Sequence, residues 1–298
     1  MSAIKPNFFL VGAPKCGTTS LYSYLSDHPN VHDVYIKEPS YFATDMPNAQ
    51  LIKNLGDYNK LYLNSANKLC GDYSTSYFHS SVAINQIMRF NPDAKIIISL
   101  RNPVDCMYSL FNQQRYSLNE VEIDFKRAWE AGDDRLKDKL YKASRRNPIA
   151  TIYKEAGKLG EYTQKIQNLV PPHQLHIILF DDLKLDTQKV YSSLLDFLGL
   201  ENDGRNNFQV QASAAQYRSK IITHLLSSKG MTGSIKRNLK NLFGIEHSSV
   251  IKKIHKANKS TGNIQPLNDQ MRRELSSYFD DEISLIENIL RRNLSHWR

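Results

Sequence analysis

The sequence predicts an α/β fold, a three-layer domain in which a central parallel sheet carries helices on both faces. Short apolar runs suited to buried strands alternate along the chain with longer segments of helical periodicity. Two of these runs pass through polar turns directly into helices, as strands of a parallel sheet do. With 298 residues, 41% of them hydrophobic and 23% charged, the chain is long enough and apolar enough for a single domain over 1–298.

The strands are predicted where apolar residues run together between turn signals. Such continuous runs are typical of strands that are buried on both faces of a parallel sheet. The run Lys-Ile-Ile-Ile-Ser-Leu is the clearest of them, and a short extended piece is also expected around Val31. In chain order the predicted strands lie at 8–11, 68–72, 95–100 and 175–180.

The helices are predicted from apolar residues at helical spacing and from breakers such as His28-Pro29 and Asn91-Pro92. They lie at 18–27, 47–65 (one or two irregular helices), 80–90, 104–116, 149–169, 187–198 and 268–291. The polar, charge-rich segment around 117–148 is interpreted as a helical insertion near the site where a substrate would bind. Residues 204–298 are interpreted as a C-terminal helical extension, of which 204–262 resist assignment because of their glycines.

An anion-binding turn follows the first strand. Gly12 and Gly17 allow the backbone to fold tightly against a ligand, and Lys15 adds a cation. Thr18 and Thr19 stand at the start of a helix, where unpaired N–H groups and the helix dipole favour negative charge. The sequence therefore predicts a P-loop-like site for a phosphorylated ligand.

The position of the lysine distinguishes this loop from that of nucleoside triphosphatases. Their pattern, G-x-x-x-x-G-K-[ST], has lysine directly after the second glycine. Here Thr18 follows Gly17, and the lysine lies inside the loop at position 15. This placement argues against a nucleotide or small-molecule kinase, which stays as one alternative.

A second anion-binding motif follows the strand at 95–100. Arg101 offers a planar fork of donors suited to phosphate, and Ser109 lies on the next helix, within reach of the same anion. Because ligands bind at the carboxyl ends of the strands in open α/β sheets, both motifs are expected to hold one ligand.

Together the two motifs resemble those of the sulfotransferases that use 3′-phosphoadenosine 5′-phosphosulfate (PAPS). The stretch 14–21 resembles their 5′-phosphosulfate loop, and Arg101-Asn102-Pro103 with Ser109 resembles their 3′-phosphate element. The order of His28-Pro29 and of the segments 37–42, 71–77 and 293–297 is similar to bacterial members and to the heparan-sulfate-type domain. The resemblance implies PAPS as donor, no metal, and cofactor contacts from Lys15, Cys16, Gly17, Thr18, Thr19, Ser20, Arg101 and Ser109.

The resemblance also implies a reaction and roles for its residues. The sulfuryl group would pass in line from PAPS to a hydroxyl, or as second choice an amine, of a carbohydrate or small-molecule acceptor. Glu38 lies at the position of the glutamate base of the heparan-sulfate-type branch, and Lys15 would stabilise charge on the leaving phosphate. His79 is the alternative base, although a lone histidine after a strand is more often structural. Tyr73 replaces a lysine that aligns donor and acceptor in that branch, which leaves the acceptor class open.

A late loop is expected to complete the cofactor site. Relatives place a basic, glycine-containing loop before the terminal helix, and Lys259 with Gly262 fits that description here. Arg218 is the second candidate.

The composition limits the kinds of ligand and partner that the protein can be expected to bind. The net charge of +9 fits a polyphosphorylated cofactor, whereas no motif for nucleic acid is present in the sequence. No apolar run is long enough for a membrane span, and three cysteines without ligand spacing predict reduced thiols and a cytoplasmic protein. Cys16 is interpreted as a small loop side chain. The oligomeric state is left open, and a non-catalytic phosphonucleotide-binding protein is the second alternative, which Glu38 beside Lys37 argues against.

Overall fold

A five-stranded parallel sheet forms the centre of the computed structural model, with strand order β2-β3-β1-β4-β5. The structure describes residues 5–63, 65, 67–117, 119–139, 147–209, 216–217, 259–260 and 266–298. The strands of the sheet are β1 (Phe8–Gly12), β2 (Val31–His32), β3 (Leu69–Asp72), β4 (Lys95–Leu100) and β5 (Leu175–Leu179). The predicted α/β class with a parallel sheet is confirmed.

Helices surround this sheet and connect its strands. The first six are α1 (Thr18–Ser26), α2 (Leu55–Lys60), α3 (Ala83–Phe90), α4 (Pro103–Tyr116), α5 (Phe125–Glu130) and α6 (Gly132–Lys137). The others are α7 (Tyr153–Ala156), α8 (Leu159–Gln167), α9 (Phe180–Leu185), α10 (Thr187–Leu198), α11 (Asp269–Tyr278) and α12 (Asp280–Leu290). Short 3-10 turns lie at Thr75–His79, Ile149–Thr151, Pro172–Gln174 and Ser295–Trp297. A separate antiparallel pair joins β6 (Gln216–Tyr217) and β7 (Lys259–Ser260).

The core is built on the two central strands. All of β1 is buried, and β4 is buried from Ile96 onward, as their apolar runs predict. Gly71 on the neighbouring β3 faces the ring of Phe8, where a Cβ would lie 2.3 Å from a ring carbon. This close approach requires glycine, so the packing of β3 against β1 depends on that residue.

The C-terminal helix predicted over 268–291 is two helices in the structure. Helix α11 ends before Phe279, whose ring is fully buried, and α12 begins at Asp280. The acidic run Asp280, Asp281 and Glu282 fills the first turn of α12, where the helix dipole favours negative charge. Helical spacing continues across the break, so periodicity alone could not reveal it.

The described part of the charge-rich segment 117–148 carries α5 and α6. A buried ion pair within this segment joins two of its residues, with Arg135 Nη1 2.6 Å from Glu120 Oε2. The same guanidinium donates to the carbonyl of Thr151 at 2.8 Å, and the hydroxyl of Tyr153 donates to Glu120 at 3.0 Å. These contacts hold the segment against residues that border the candidate site. Within the described residues no helix is long and apolar enough to cross a membrane.

Candidate active site

The anion loop between β1 and α1 is held in an open turn by its own backbone and by β4. Lys15 and Gly17 have positive φ angles of 68° and 83°. A Cβ at Gly17 would lie 2.8 Å from the ring of Phe180, so a larger residue does not fit there. Ser99 on β4 donates its hydroxyl to the carbonyl of Cys16 at 2.5 Å, and Arg101 Nη1 lies 3.5 Å from the carbonyl of Lys15.

A cleft of about 320 Å³ opens at this loop, at the carboxyl edge of the sheet, and is called the first cleft below. It brings both sequence motifs together. The predicted residues that line it are Lys15, Gly17, Thr18, Thr19, Ser20, Glu38, Arg101 and Ser109. Lys37, Thr75, Gln113 and Phe180 line it as well. The geometry therefore joins the loop after β1 to the turn and helix after β4 around one space.

Three cations line the first cleft. Lys37 Nζ donates to Thr19 Oγ1 at 3.0 Å, and the guanidinium of Arg101 lies 4.9 Å from the ring centre of Phe180. Burial lowers the pKa of Lys15, and the charges of Arg101 and Lys37 lower it further. Positive charges held this close together favour a ligand with negative charge, which would offset their mutual repulsion.

Glu38 lines the same cleft and directly follows Lys37 on the loop between β2 and α2. The backbone N–H of Thr75 donates to Glu38 Oε2 at 2.7 Å, and the Thr75 hydroxyl donates to Oε1 at 3.0 Å. The N–H of Glu38 donates to the carbonyl of Tyr73 at 3.1 Å. Burial raises the pKa of Glu38, while the charge of Lys37 and the bonds from Thr75 oppose that rise. The carboxylate is thus held in place with a basicity above that of an exposed glutamate.

A buried carboxylate is connected to the loop of Glu38 through hydrogen bonds. Asp72, at the end of β3, accepts hydroxyl bonds from Tyr58 at 2.7 Å, Tyr77 at 2.9 Å and Ser74 at 2.6 Å. Ser74 in turn accepts the backbone N–H of Ser40 at 2.9 Å. Burial raises the pKa of Asp72 to about 6 although these bonds favour its charged form.

A second cleft of about 270 Å³ lies on the other side of Glu38. Pro14, Glu38, Thr75 and Gln113 line both clefts. Glu38 therefore borders two adjoining spaces, one of them lined by cations.

Cys16 was predicted to contact the cofactor together with the other loop residues, but it does not line the first cleft. Its side chain is fully buried and lies 3.7 Å from Cys106 Sγ on α4. Burial, and the contact with Cys106, raise the pKa of the Cys16 thiol. The thiol is a core group in this structure, so what Cys16 offers to a ligand is its place in the backbone of the loop.

His79 and Tyr73 are both core residues. His79 Nε2 donates to the carbonyl of Ala156 at 3.2 Å, and burial lowers the pKa of His79 to about 4. Neither cleft is lined by it. The ring of Tyr73 packs edge-on against Phe8 and Tyr22, with ring centres 5.5 and 4.8 Å apart. Position 73, for which the resemblance implies a lysine in the heparan-sulfate-type branch, is occupied in this chain by a buried aromatic ring.

The late-chain candidates fall mostly outside the described residues. Arg218 and Gly262 lie outside them, and only the strand pairing of Lys259 is described. Lys259 pairs with Tyr217 across the β6–β7 ribbon, and β6 contacts α4, the helix that carries Ser109. The described residues of these two segments are thus paired with each other, and β6 lies beside α4.

The sequence interpretation missed several residues of the first cleft. Lys37 was considered only as a neighbour of Glu38, although its contact with Thr19 makes it part of the anion site. Phe180 directly follows β5, so the rule that ligands bind at the carboxyl ends of strands could have found it. In the described part of the chain no group of His, Cys, Asp or Glu is arranged to hold a metal ion.

The fold and the first cleft define an α/β protein with a cleft lined by cations at the carboxyl edge of a parallel sheet. The family described as the sulfotransferase domain matches residues 5–283, so the chain belongs to the sulfotransferase domain family. A human relative, bifunctional heparan sulfate N-deacetylase/N-sulfotransferase 2, is 27% identical over 205 residues. That match covers 65% of this chain and 22% of the relative.

A second relative is the bifunctional heparan sulfate N-deacetylase/N-sulfotransferase 1 of Caenorhabditis briggsae. It is 25% identical over 264 residues, which are 84% of this chain and 30% of that protein. The chain therefore spans less than a third of the length of these relatives. Among solved structures, the sulfotransferase from Alicyclobacillus acidocaldarius superimposes with a TM-score of 0.74 at 21% identity, over 99% of both chains. That similarity shows a shared fold.

Proposed function

We propose that this protein transfers a sulfuryl group from PAPS to a hydroxyl, or as second choice an amine, of a carbohydrate or small-molecule acceptor. The observation that carries the proposal is the position of Glu38. Glu38 lines both clefts, and Lys15, Lys37 and Arg101 line the first of them. Membership of the sulfotransferase family supports the same reaction.

The first cleft suits the phosphates of the donor. The backbone of the loop and the start of α1 offer N–H groups, and Lys15 and Lys37 offer positive charge. Arg101 and Ser109 are proposed to bind the 3′-phosphate, since a guanidinium binds phosphate through two parallel bonds. PAPS supplies the sulfuryl group. Lys15 is proposed to stabilise the charge that develops on the departing phosphate oxygen.

Glu38 is the proposed general base. The acceptor oxygen or nitrogen bonds to sulfur as the bond from sulfur to the phosphate oxygen breaks, and the acceptor proton passes to Glu38. A raised pKa suits this role, because a base works best when its pKa approaches the working pH. The bonds from Thr75 hold the carboxylate in one orientation at the junction of the clefts.

The names of the relatives give information about the type of acceptor group. Those proteins are N-sulfotransferases of heparan sulfate, which keeps an amine acceptor within the proposal. Their match to this chain covers only part of their length, so a hydroxyl remains our first choice. The cytoplasm stays the proposed location.

Ligand-induced stabilisation tests the donor. The product 3′-phosphoadenosine 5′-phosphate (PAP) should raise the melting temperature by mass action, and Mg²⁺-ATP should raise it much less. Arg101→Ala should weaken PAP binding by roughly 1.5–3 kcal/mol, because bonds to a charged group are lost. Arg127→Ala, on the exposed face of α5 outside both clefts, is the matched control and should bind PAP normally. Equal stabilisation by Mg²⁺-ATP would favour the kinase alternative instead.

A further inference from the structure

The second cleft differs from the first in its chemistry. Glu38 is the only charged residue among the described residues that line it, and it is an acid. The other polar residues particular to this cleft carry neutral hydroxyl or carboxamide groups. They include Ser40, Ser76, Gln114, Ser117, Asn147 and Thr151. The cations Lys15, Lys37 and Arg101 line only the first cleft.

Arg135 lies behind the wall of the second cleft and is already paired with an acid. Its guanidinium donates to the carbonyl of Thr151, a residue that lines this cleft. The carboxylate of Glu120 accepts two bonds from the same guanidinium, at 2.6 and 2.8 Å. This bidentate pair neutralises the charge, so Arg135 offers little attraction to an anion in the cleft.

We infer that the second cleft binds the acceptor and selects an uncharged, polyhydroxylated group about the size of one sugar ring. This inference rests on the proposed function. Hydroxyl and carboxamide side chains both donate and accept, so they match the hydroxyls of a neutral sugar. Leu110, Ala49 and Ala150 supply apolar surface for its C–H groups. The volume of about 270 Å³ lies below the range of roughly 300–1,000 Å³ of drug-sized sites, which fits a small group.

An anionic acceptor is disfavoured by the same lining. A carboxylate or sulfate in this cleft would be partly desolvated beside Glu38, without a cation from the described walls to pair with it. Heparan sulfate is a polyanion, so this acceptor class differs from the one in the names of the relatives. Residues 140–146, outside the described ranges, contain Lys142, Arg145 and Arg146 and adjoin Asn147 in sequence. The test therefore has to measure charge selectivity directly.

Paired glycosides provide that measurement. Transfer of labelled sulfuryl from PAPS is compared between 4-nitrophenyl hexosides and the matching 4-nitrophenyl hexuronides, which differ in a CH₂OH or a carboxylate. We expect kcat/KM for the best hexoside to exceed that of its hexuronide by about tenfold or more. Equal or greater transfer to the hexuronides would overturn the inference, and so would transfer to neither set while PAP still binds. If PAP itself fails to bind, the proposed function fails.

A charge variant gives an independent readout. Ser117 is exposed at the C-terminal end of α4 and lines only the second cleft, so Ser117→Lys adds a cation at its edge. The hexuronides should gain about tenfold relative to the hexosides, with unchanged PAP affinity. Asn85→Lys on the exposed face of α3 is the control and should not alter selectivity. Unchanged selectivity in folded Ser117→Lys would contradict acceptor binding in this cleft, and Gln114→Lys repeats the test if that variant does not fold.

Discussion

Glu38 has an unusual backbone conformation for a residue with a side chain. Its φ angle is 60°, in the left-handed region, and Ser40 two residues later has a φ of 53°. Such conformations cost on the order of 1–3 kcal/mol each and persist where the surroundings enforce them. Here Tyr73, Ser74 and Thr75 enforce them through bonds to the loop. The strained loop and its supports all serve to hold one carboxylate between two clefts.

Replacement of Glu38 by glutamine keeps its shape and removes its basicity. Turnover in Glu38→Gln should fall by ~10²-fold or more, while PAP affinity stays near that of the wild type. Lys15→Ala is the comparison, and it should lose both affinity and rate because Lys15 lines the first cleft, where the donor is proposed to bind. The wild-type rate should decline at low pH as the carboxylate protonates, with a midpoint above the ordinary pKa of glutamate. Initial rates across pH, together with PAP titrations, check both points; normal turnover in Glu38→Gln would exclude it as the base.

His79 is expected to affect stability and not the reaction. It is buried, and its bond to the Ala156 carbonyl is lost or weakened in His79→Gln. The melting temperature should fall, since a buried carbonyl without a partner costs about 1–3 kcal/mol. The pH–rate profile should keep its shape. Loss of one limb of that profile in a folded variant would instead support a proton-transfer role for His79.

At the scale of elements, the segment after β3 organises the site. Asp72 ends the strand, and its carboxylate binds Tyr58 on α2 and Tyr77 on the 3-10 turn. The same turn begins at Thr75, which orients Glu38. One buried acid thus links strand, helix and turn beneath the loop of Glu38, at the cost of keeping a carboxylate away from water.

This arrangement predicts a pH-dependent stability difference. Because burial raises the pKa of Asp72 to about 6, the folded state holds the proton more tightly than the unfolded chain. The stability that protonated Asp72 gives to the folded state is present at low pH and is lost as pH rises from about 4 to 6. The free energy of unfolding falls by about 3 kcal/mol over this range. Asp72→Asn does not titrate, so its stability deficit relative to wild type should be smaller at pH 7 than at pH 4. Urea unfolding at both pH values measures this, and a constant deficit would contradict it.

At the scale of the whole molecule, the end of the chain contacts the second anion motif. Asn102, directly after Arg101, donates its side-chain amide to the carbonyl of Trp297 at 2.8 Å. The indole of Trp297 is buried and donates Nε1–H to Asp181 at 2.6 Å, on the helix after β5. The last residues therefore connect the turns that follow two neighbouring strands.

Removal of that indole should loosen both turns. Trp297→Ala should lower the free energy of unfolding by about 3–5 kcal/mol, the usual cost of deleting a buried large aromatic side chain. Trp297→Phe restores part of the packing but not the bond to Asp181, and should lie between alanine and wild type. Chemical denaturation of the three proteins gives the comparison. A loss below about 1 kcal/mol for alanine would show that the tail does not stabilise the domain.

The features of this protein that are local in the chain could be predicted from its residue types. The strand, loop and helix of residues 8–21 are continuous in the chain, so their residue types predict an anion site without any tertiary contact. The same holds for β4, Arg101 and Ser109. Because parallel strands share one carboxyl edge, even the meeting of these two motifs followed from the pattern.

Which other side chains reach that edge depends on contacts between elements that are distant in the chain. Lys37 joins the anion site because the loop after β2 folds over α1, and nothing in the spacing of Lys37 and Thr19 requires this. Tyr73 and His79 have polar groups that sequence alone cannot assign to core or cleft, and packing put both in the core. The division of the site into a cleft lined by cations and a cleft without a described cation depends on how separate elements pack around Glu38, because surface charge and hydroxyl groups are abundant throughout the sequence.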